Sequence, residues 1–239
     1  MKIILIPIAP LSRTKSRLRK CLSKEQLKDL TIAMFKDLAV KLRKVDCFDN
    51  KIVYCNSNEI LELANTYGLI GIKECLTTPR KSFDQVISDL NQIAIDEYKA
   101  TSTVFTFLDI ILISVHNFYE ICALTQKNQL VLCPAISSAG ISVFGRNPPD
   151  ILRTHFSNNT VPSLLAMLDA ARKENLKVAI YDSFRAGFDI DIKQDLMLAY
   201  QYLKIFGLEN TETYNFLKKN LNLNVLKKSL KDNRKLTTQ

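Results

Sequence analysis

An apolar run, Ile3 to Ile8, stops at Pro10 and gives way to hydroxyls and cations: Ser12, Arg13, Thr14, Lys15, Ser16, Arg17, Arg19 and Lys20. A strand that empties directly into such residues suits phosphate. Ligands of α/β folds sit at the carboxyl ends of the parallel strands, and Lys and Arg neutralise phosphate oxygens there. The charge distribution localises the feature. Residues 1–45 hold twelve Lys and Arg against three Asp and Glu, which is +9, and the whole chain is +9, so the remainder sums to zero. The plainer reading of the same residues is a solvated basic loop followed by a basic helix face.

Two acidic features could complement these cations. Asp109 ends the apolar run Val104 to Leu108 and is followed at once by Ile110-Ile111-Leu112-Ile113. A carboxylate among such neighbours is costly unless paired or metal-bound. Phe188-Asp189-Ile190-Asp191-Ile192 places two carboxylates two residues apart, on one face if the segment is extended, where they repel unless a cation or donors lie between. Together, Asp109, Asp189 and Asp191 form a hard-oxygen set suited to magnesium with phosphate. Read alone, Asp191 is equally a helix N-cap, and Asp109 a strand-end turn residue.

The elements that must position these residues alternate between strand-like and helix-like runs, which argues for a mostly parallel sheet flanked by helices. Strands are expected at 2–8, 51–55, 69–72, 103–108, 129–133, 139–144 and 177–181. Helices are expected at 23–44 (with Ser23 as N-cap), 57–67, 82–98, 115–125, 161–174, 192–205 and 211–221. The organisation follows as one α/β domain over 1–207 and a helical C-terminal extension over 208–239. The stretch Leu226–Gln239, with five Lys and Arg against one acid, is expected to fray. Thr211, Tyr214, Phe216 and Leu217 offer a face for a dimer-forming helix.

Composition excludes several classes. The first apolar run is about six residues, below the ~7–15 of a signal-peptide core. The most apolar internal stretch, Val104–Val115, carries Asp109 and is far short of the ~20 residues that span a bilayer, so no membrane partner is expected. Six cysteines are scattered without a CxxC pair, and the two histidines lie far apart. Reduced core thiols in a cytoplasmic protein account for them, and zinc is disfavoured. No aromatic-interleaved basic stripe accompanies the charge, which argues against nucleic acid as the partner.

The opening Ile6-Pro7-Ile8-Ala9-Pro10-Leu11-Ser12-Arg13-Thr14-Lys15-Ser16-Arg17-Leu18 resembles the first motif of the 2-phospho-L-lactate guanylyltransferase family. The order of later segments agrees: Leu22-Ser23-Lys24-Glu25, then Asp109 to Ile113, then Asp189 to Leu196. The resemblance implies a Rossmann-like, mostly parallel sheet with helices on both faces, as in nucleotide-diphospho-sugar transferases. It implies transfer of GMP from GTP to a small phosphorylated acid (2-phospho-L-lactate, phosphoenolpyruvate or 3-phosphoglycerate), with release of pyrophosphate, in deazaflavin coenzyme biosynthesis. On this resemblance Lys15, Arg17 and Asp109 are catalytic, and Asp109, Asp189 and Asp191 hold magnesium. Pro10, Leu11, Ser12, Lys15 and Asp84 bind the nucleotide, while Ser142, Ser157 and Thr160 bind the acid. The sequence departs from the family pattern at Ala9 (Lys in the family), at Asp84 (Asn) and at Ile141 (Thr). Those departures favour the alternative, a paralogue without catalysis that keeps the fold as a nucleotide-binding or partner subunit.

Overall fold

Strand β1 (Lys2–Pro7) is buried on both faces, as a continuous Ile/Leu run requires. Its side chains alternate accordingly: Ile4 and Ile6 join one core cluster, and Ile3 and Leu5 another. The computed structural model describes residues 1–11, 15–157 and 160–221. The expectation of a frayed Leu226–Gln239 lies outside them.

The sheet continues with β2 (Asn50–Cys55), β3 (Ile70–Lys73), β4 (Ser102–Thr106), β5 (Leu130–Pro134), β6 (Ile141–Arg146) and β7 (Val178–Ile180). Their spatial order is β3-β2-β1-β4-β6-β5-β7. β6 pairs antiparallel with both β4 and β5; the other pairings are parallel. Ile3 faces Asn50 on one side and Thr103 on the other, so β1 lies between β2 and β4. The chain reverses its direction of winding at β1 and β4, where a doubly wound fold opens its ligand crevice.

The helices are α1 (Lys24–Arg43), α2 (Asn58–Thr66), α3 (Phe83–Asp96), α4 (Val115–Lys127), α5 (Ser163–Lys173), α6 (Phe184–Gly187), α7 (Lys193–Ile205) and α8 (Glu212–Asn220), with a 3-10 helix over Ser16–Lys20. Local chemistry fixes their starts. Ser23, Ser82 and Ser114 each accept the N–H three residues on, and Gln26, Gln85 and Asn117 return a side-chain bond to the cap. Phe35 and Leu38 of α1, Ala64 of α2 and Phe118 of α4 pack on one face of the sheet. Ile87 and Leu90 of α3 and Met167 of α5 cover the other.

The elements follow the expected order, with instructive differences. β4 stops at Thr106 instead of running to Leu108, because Phe107 turns into an aromatic cluster and carries Asp109 out of the sheet. The short α6 was not expected from periodicity, which four residues cannot display. The face of α8 expected to reach a second copy is taken up at home: Tyr214, Phe216 and Leu217 are buried with Leu27, Leu30 and Leu203 in a third cluster. The backbone N–H groups of Glu212 and Thr213 also donate to Asp37 of α1. α8 is thus packed on the α/β unit through α1 and α7.

Gly145 lies in β6 under α4, where a Cβ would sit 2.2 Å from Thr125 Oγ1, a hydroxyl that donates to Ile121 O at 2.8 Å. Overpacking of this kind costs about 1–3 kcal/mol. Gly145→Ala is therefore expected to lower the free energy of unfolding measured in urea by that amount, and Thr125→Ala in the same chain to recover part of it.

Candidate active site

Asp109 stands just beyond the end of β4, and the residues after it are anchored in two cores. Ile110 and Ile113 pack into the cluster under α1 and α4, while Ile111 and Leu112 pack into the one beneath α7 and α8. The turn is held by Ile111 N–H to Asp109 O (3.0 Å) and Ile113 N–H to Ile110 O (3.2 Å). Two cations close it from below: Lys41 Nζ donates to Ile111 O at 2.7 Å, and Arg185 Nε to Leu112 O at 2.9 Å. The apolar run that made Asp109 look costly is what fixes its position.

The second acidic segment is tied directly to the first, since Ile190 N–H donates to Asp109 O at 3.3 Å. Asp195 secures its far end, with Oδ2 accepting the N–H groups of Asp191 and Ile192, both at 2.8 Å. Ile192 is the N-cap of α7. The N-cap reading of Asp191 is therefore incorrect: its carboxylate accepts from Lys15 and Arg17 instead. Upstream, Gly187 lets the chain pass close to β5; a Cβ there would lie 2.6 Å from Pro134 O.

Lys15 meets both acids. It adopts a left-handed conformation (φ 48°) before the 3-10 helix, an arrangement a non-glycine residue takes only when surroundings over-determine it. Its Nζ donates to Asp109 Oδ2, and to Asp191 Oδ1 at 3.1 Å. Arg17 Nη1 bonds the other Asp191 oxygen at 3.1 Å. Burial opposes the Lys15 charge, but the Asp109 and Asp191 carboxylates outweigh it and raise the pKa above its ordinary 10.5.

Asp189 is buried, and its Oδ1 has no hydrogen-bond partner. Burial first, then the nearby Asp109 and Asp191 carboxylates, push it up to about 7. Among the described residues no group of three or more His, Cys, Asp or Glu stands ready-made around a metal position; the Lys15 ammonium bonds both Asp109 and Asp191. The donor chemistry nevertheless fits a hard divalent cation. Three carboxylates converge, and one of them keeps a buried oxygen unsatisfied.

These groups open on a cavity of 570 Å³ at the carboxyl ends of β1 and β4, lined also by Pro7, Ile8, Ala9, Ser138, Gly140, Ser142 and Ser163. One wall is aromatic: Phe83, Phe107 and Phe156 meet with ring centroids 5.3–5.8 Å apart. Sequence reasoning missed this wall, since each Phe belongs to a different segment, and it missed the supporting roles of Lys41, Arg185 and Asp195. Only Asp195 left a signal, standing four residues after Asp191.

The remaining expected site residues divide. Ser142 lines the cavity, although its hydroxyl donates to Cys133 O at 3.1 Å. Pro10 lines a smaller annex, Leu11 packs against the core, and Ser12 lies outside the described residues. Asp84 does not face the main cavity: it accepts the N–H groups of Phe156 and Ser157 (2.9 and 2.8 Å) and side-chain bonds from Thr154 and Ser157. Burial acts against its charge, but these bonds lower its pKa below the ordinary value. Asp84 is thus a clamp that seats Phe156 in the aromatic wall, and Ser157 serves that clamp; neither lines the cavity, and nor does the exposed Thr160.

A doubly wound α/β protein with its ligand crevice at the strand ends is the class that this sheet defines. The fold is shared with a protein of Desulfovibrio desulfuricans G20 assigned provisionally to the nucleotide-diphospho-sugar transferases (TM-score 0.74, 15% identity, 92% of this chain and 94% of that one). It is shared also with the 4-diphosphocytidyl-2C-methyl-D-erythritol synthase of Anaerococcus prevotii (0.62, 10%, 85% and 96%). The model of the guanylyl transferase CofC-like family matches residues 1–238, and the chain belongs to that family. Its relatives include the 2-phospho-L-lactate guanylyltransferases of Methanocaldococcus jannaschii (29% identical over 219 residues, 91% of this chain and 88% of that one) and Methanosphaera stadtmanae (27% over 223 residues, 93% and 91%). Among the described residues no helix is long and apolar enough to cross a membrane.

Lys41 offers a test of how the Asp109 turn is held. Burial lowers its pKa from 10.5 to about 8, with Asp37 opposing and Arg185 adding to the shift. Between those values the unfolded chain binds the extra proton, so this group's contribution to stability rises as pH increases through the window and is flat below it. In urea unfolding from pH 7 to 10.5, Lys41→Met is expected to lack this upward slope relative to wild type. Identical slopes would show that the Lys41 pKa is not lowered in the folded protein.

Proposed function

We propose that this chain transfers GMP from GTP to 2-phospho-L-lactate or a closely similar phosphorylated acid, releasing pyrophosphate, as a step in making a deazaflavin coenzyme. The observation that carries the proposal is the Lys15 ammonium held between Asp109 and Asp191, beside the unsatisfied Asp189 oxygen. The family membership supports guanylyl transfer, and the names of the relatives supply the acid.

The acid's phosphate oxygen attacks the α-phosphorus of GTP; a P–O bond forms there as the bond to the β-phosphate oxygen breaks, and pyrophosphate carries away the electron pair. The nucleophile is already an anion, so the site needs no strong base. Its work is to align two polyanions and cancel their repulsion. Lys15 and Arg17 face the cavity and bond the triphosphate and the departing pyrophosphate. Asp109, Asp189 and Asp191 are the residues that would hold magnesium, which when bound supplies positive charge beside the phosphates. The Ser138 and Ser163 hydroxyls and the Gly140 backbone line the side of the cavity away from β1 and are placed to hold the acid. The Phe83–Phe107–Phe156 wall keeps water from the reacting phosphates.

One observation bears on the reading of the chain as an inactive copy. Asp84, one of the departures from the family pattern, is fully used as a clamp for residues 154–157. That departure reflects how this chain seats its aromatic wall.

Pyrophosphate release from GTP, followed with and without magnesium on 2-phospho-L-lactate, phosphoenolpyruvate and 3-phosphoglycerate, tests the proposal. Release is expected with at least one acid, to require magnesium, and to fall about 100- to 1,000-fold in Asp109→Asn. No release with any acid, together with no thermal protection by GTP, would establish the inactive copy instead.

A further inference from the structure

A cavity of 550 Å³ lies between α3 and the 150–154 segment, and it shares no lining residue with the catalytic cavity. One wall is a polar stripe of α3, where Gln85, Ser88 and Gln92 stand exposed at helical spacing. Arg153 stands exposed on the other wall. The floor is Arg146, the last residue of β6. It pairs with Thr103 and Leu130 near the starts of β4 and β5, so it lies at the end of the sheet opposite Asp109.

Arg146 is only 4% exposed, and its guanidinium bridges the two walls. Nη1 donates to Leu152 O at 2.9 Å and Nη2 to Asn91 Oδ1 at 2.7 Å. Both acceptors are neutral, and among the described residues Nε has no hydrogen-bond partner. The Phe105 and Phe144 rings lie 5.3 and 5.4 Å from the guanidinium carbon and attract it weakly. Burial lowers the Arg146 pKa from 12.5 to about 10, with Asp150 opposing the shift. The side chain is therefore a cation at neutral pH. A buried cation that meets only neutral oxygens and keeps a donor unused is costly; an anion entering the cavity relieves that cost.

We propose that this cavity is a binding site for a small carboxylate, anchored on Arg146 and reached at its rim by Arg153. A guanidinium pairs with a carboxylate through two parallel N–H donors. Asp84 and Asp150 line the same cavity, and they repel the concentrated double charge of a phosphate more than the single charge of a carboxylate. Gln85, Ser88 and Gln92 offer both donors and acceptors to the remainder of a polar molecule. The occupant also bears on the catalytic cavity. Asp84 and Thr154 belong both to this site and to the clamp that seats Phe156 in the aromatic wall.

The chain contains no tryptophan, so Gln92→Trp places a single fluorophore on the wall of this cavity and away from the catalytic one. Acetate, succinate and inorganic phosphate are titrated into that variant at constant ionic strength. Succinate is expected to give a saturable change in emission, acetate a weaker one and phosphate the weakest. Arg146→Met in the same background should weaken succinate about 10- to 100-fold. Arg153→Ala, which leaves the core untouched and so does not depend on Arg146→Met folding, should weaken it about two- to fivefold and acetate by less. The proposal is overturned by the absence of a saturable response below about 100 mM succinate. It is overturned equally by succinate affinity that neither arginine substitution alters, or by tighter binding of phosphate than of succinate.

Discussion

Three carboxylates brought together at the carboxyl end of a parallel sheet cannot all stay ionised without positive charge between them. Asp109, Asp189 and Asp191 are in that position, and the Lys15 ammonium bonded to two of them is the internal answer. It is an incomplete one. Asp189 keeps an unpartnered oxygen and a pKa pushed up to about 7, so the cluster still favours added cationic charge. Lys15 is itself half-committed. It is held by two carboxylates and lines the 570 Å³ cavity.

Much of the surrounding structure reads as support for that cluster. The Ile110–Ile113 turn is driven into two cores at once and closed by Lys41 and Arg185 on successive carbonyls. Asp195 accepts the backbone N–H groups of Asp191 and Ile192, and the Ile190 N–H sews the two acidic segments together. The left-handed backbone at Lys15 aims the ammonium inwards. Each of these contacts restrains a charged group whose repulsions would otherwise spread the site.

The aromatic wall has the complementary task. Phe83, Phe107 and Phe156 come from the start of α3, the end of β4 and the 154–157 segment, and Asp84 locks the last of these by accepting two backbone N–H groups. A neutral, rigid wall opposite a dense cluster of charge lowers the local dielectric, which makes each remaining electrostatic contact stronger.

The sequence alone determined most of the secondary elements, α6 excepted, because they have local causes: serine caps at Ser23, Ser82 and Ser114, continuous apolar runs at β1 and β4, and helical spacing along α1 and α3. It also marked Lys15, Arg17, Asp109, Asp189 and Asp191 as chemically costly, since charge beside apolar runs is visible without coordinates. What the tertiary structure decided was pairing and direction. The antiparallel insertion of β6, the burial of the α8 face against α1, the turning of Asp84 away from the cavity and the meeting of three phenylalanines all depend on contacts between segments far apart in the chain. Periodicity records which residues must be buried or satisfied; only packing settles against what.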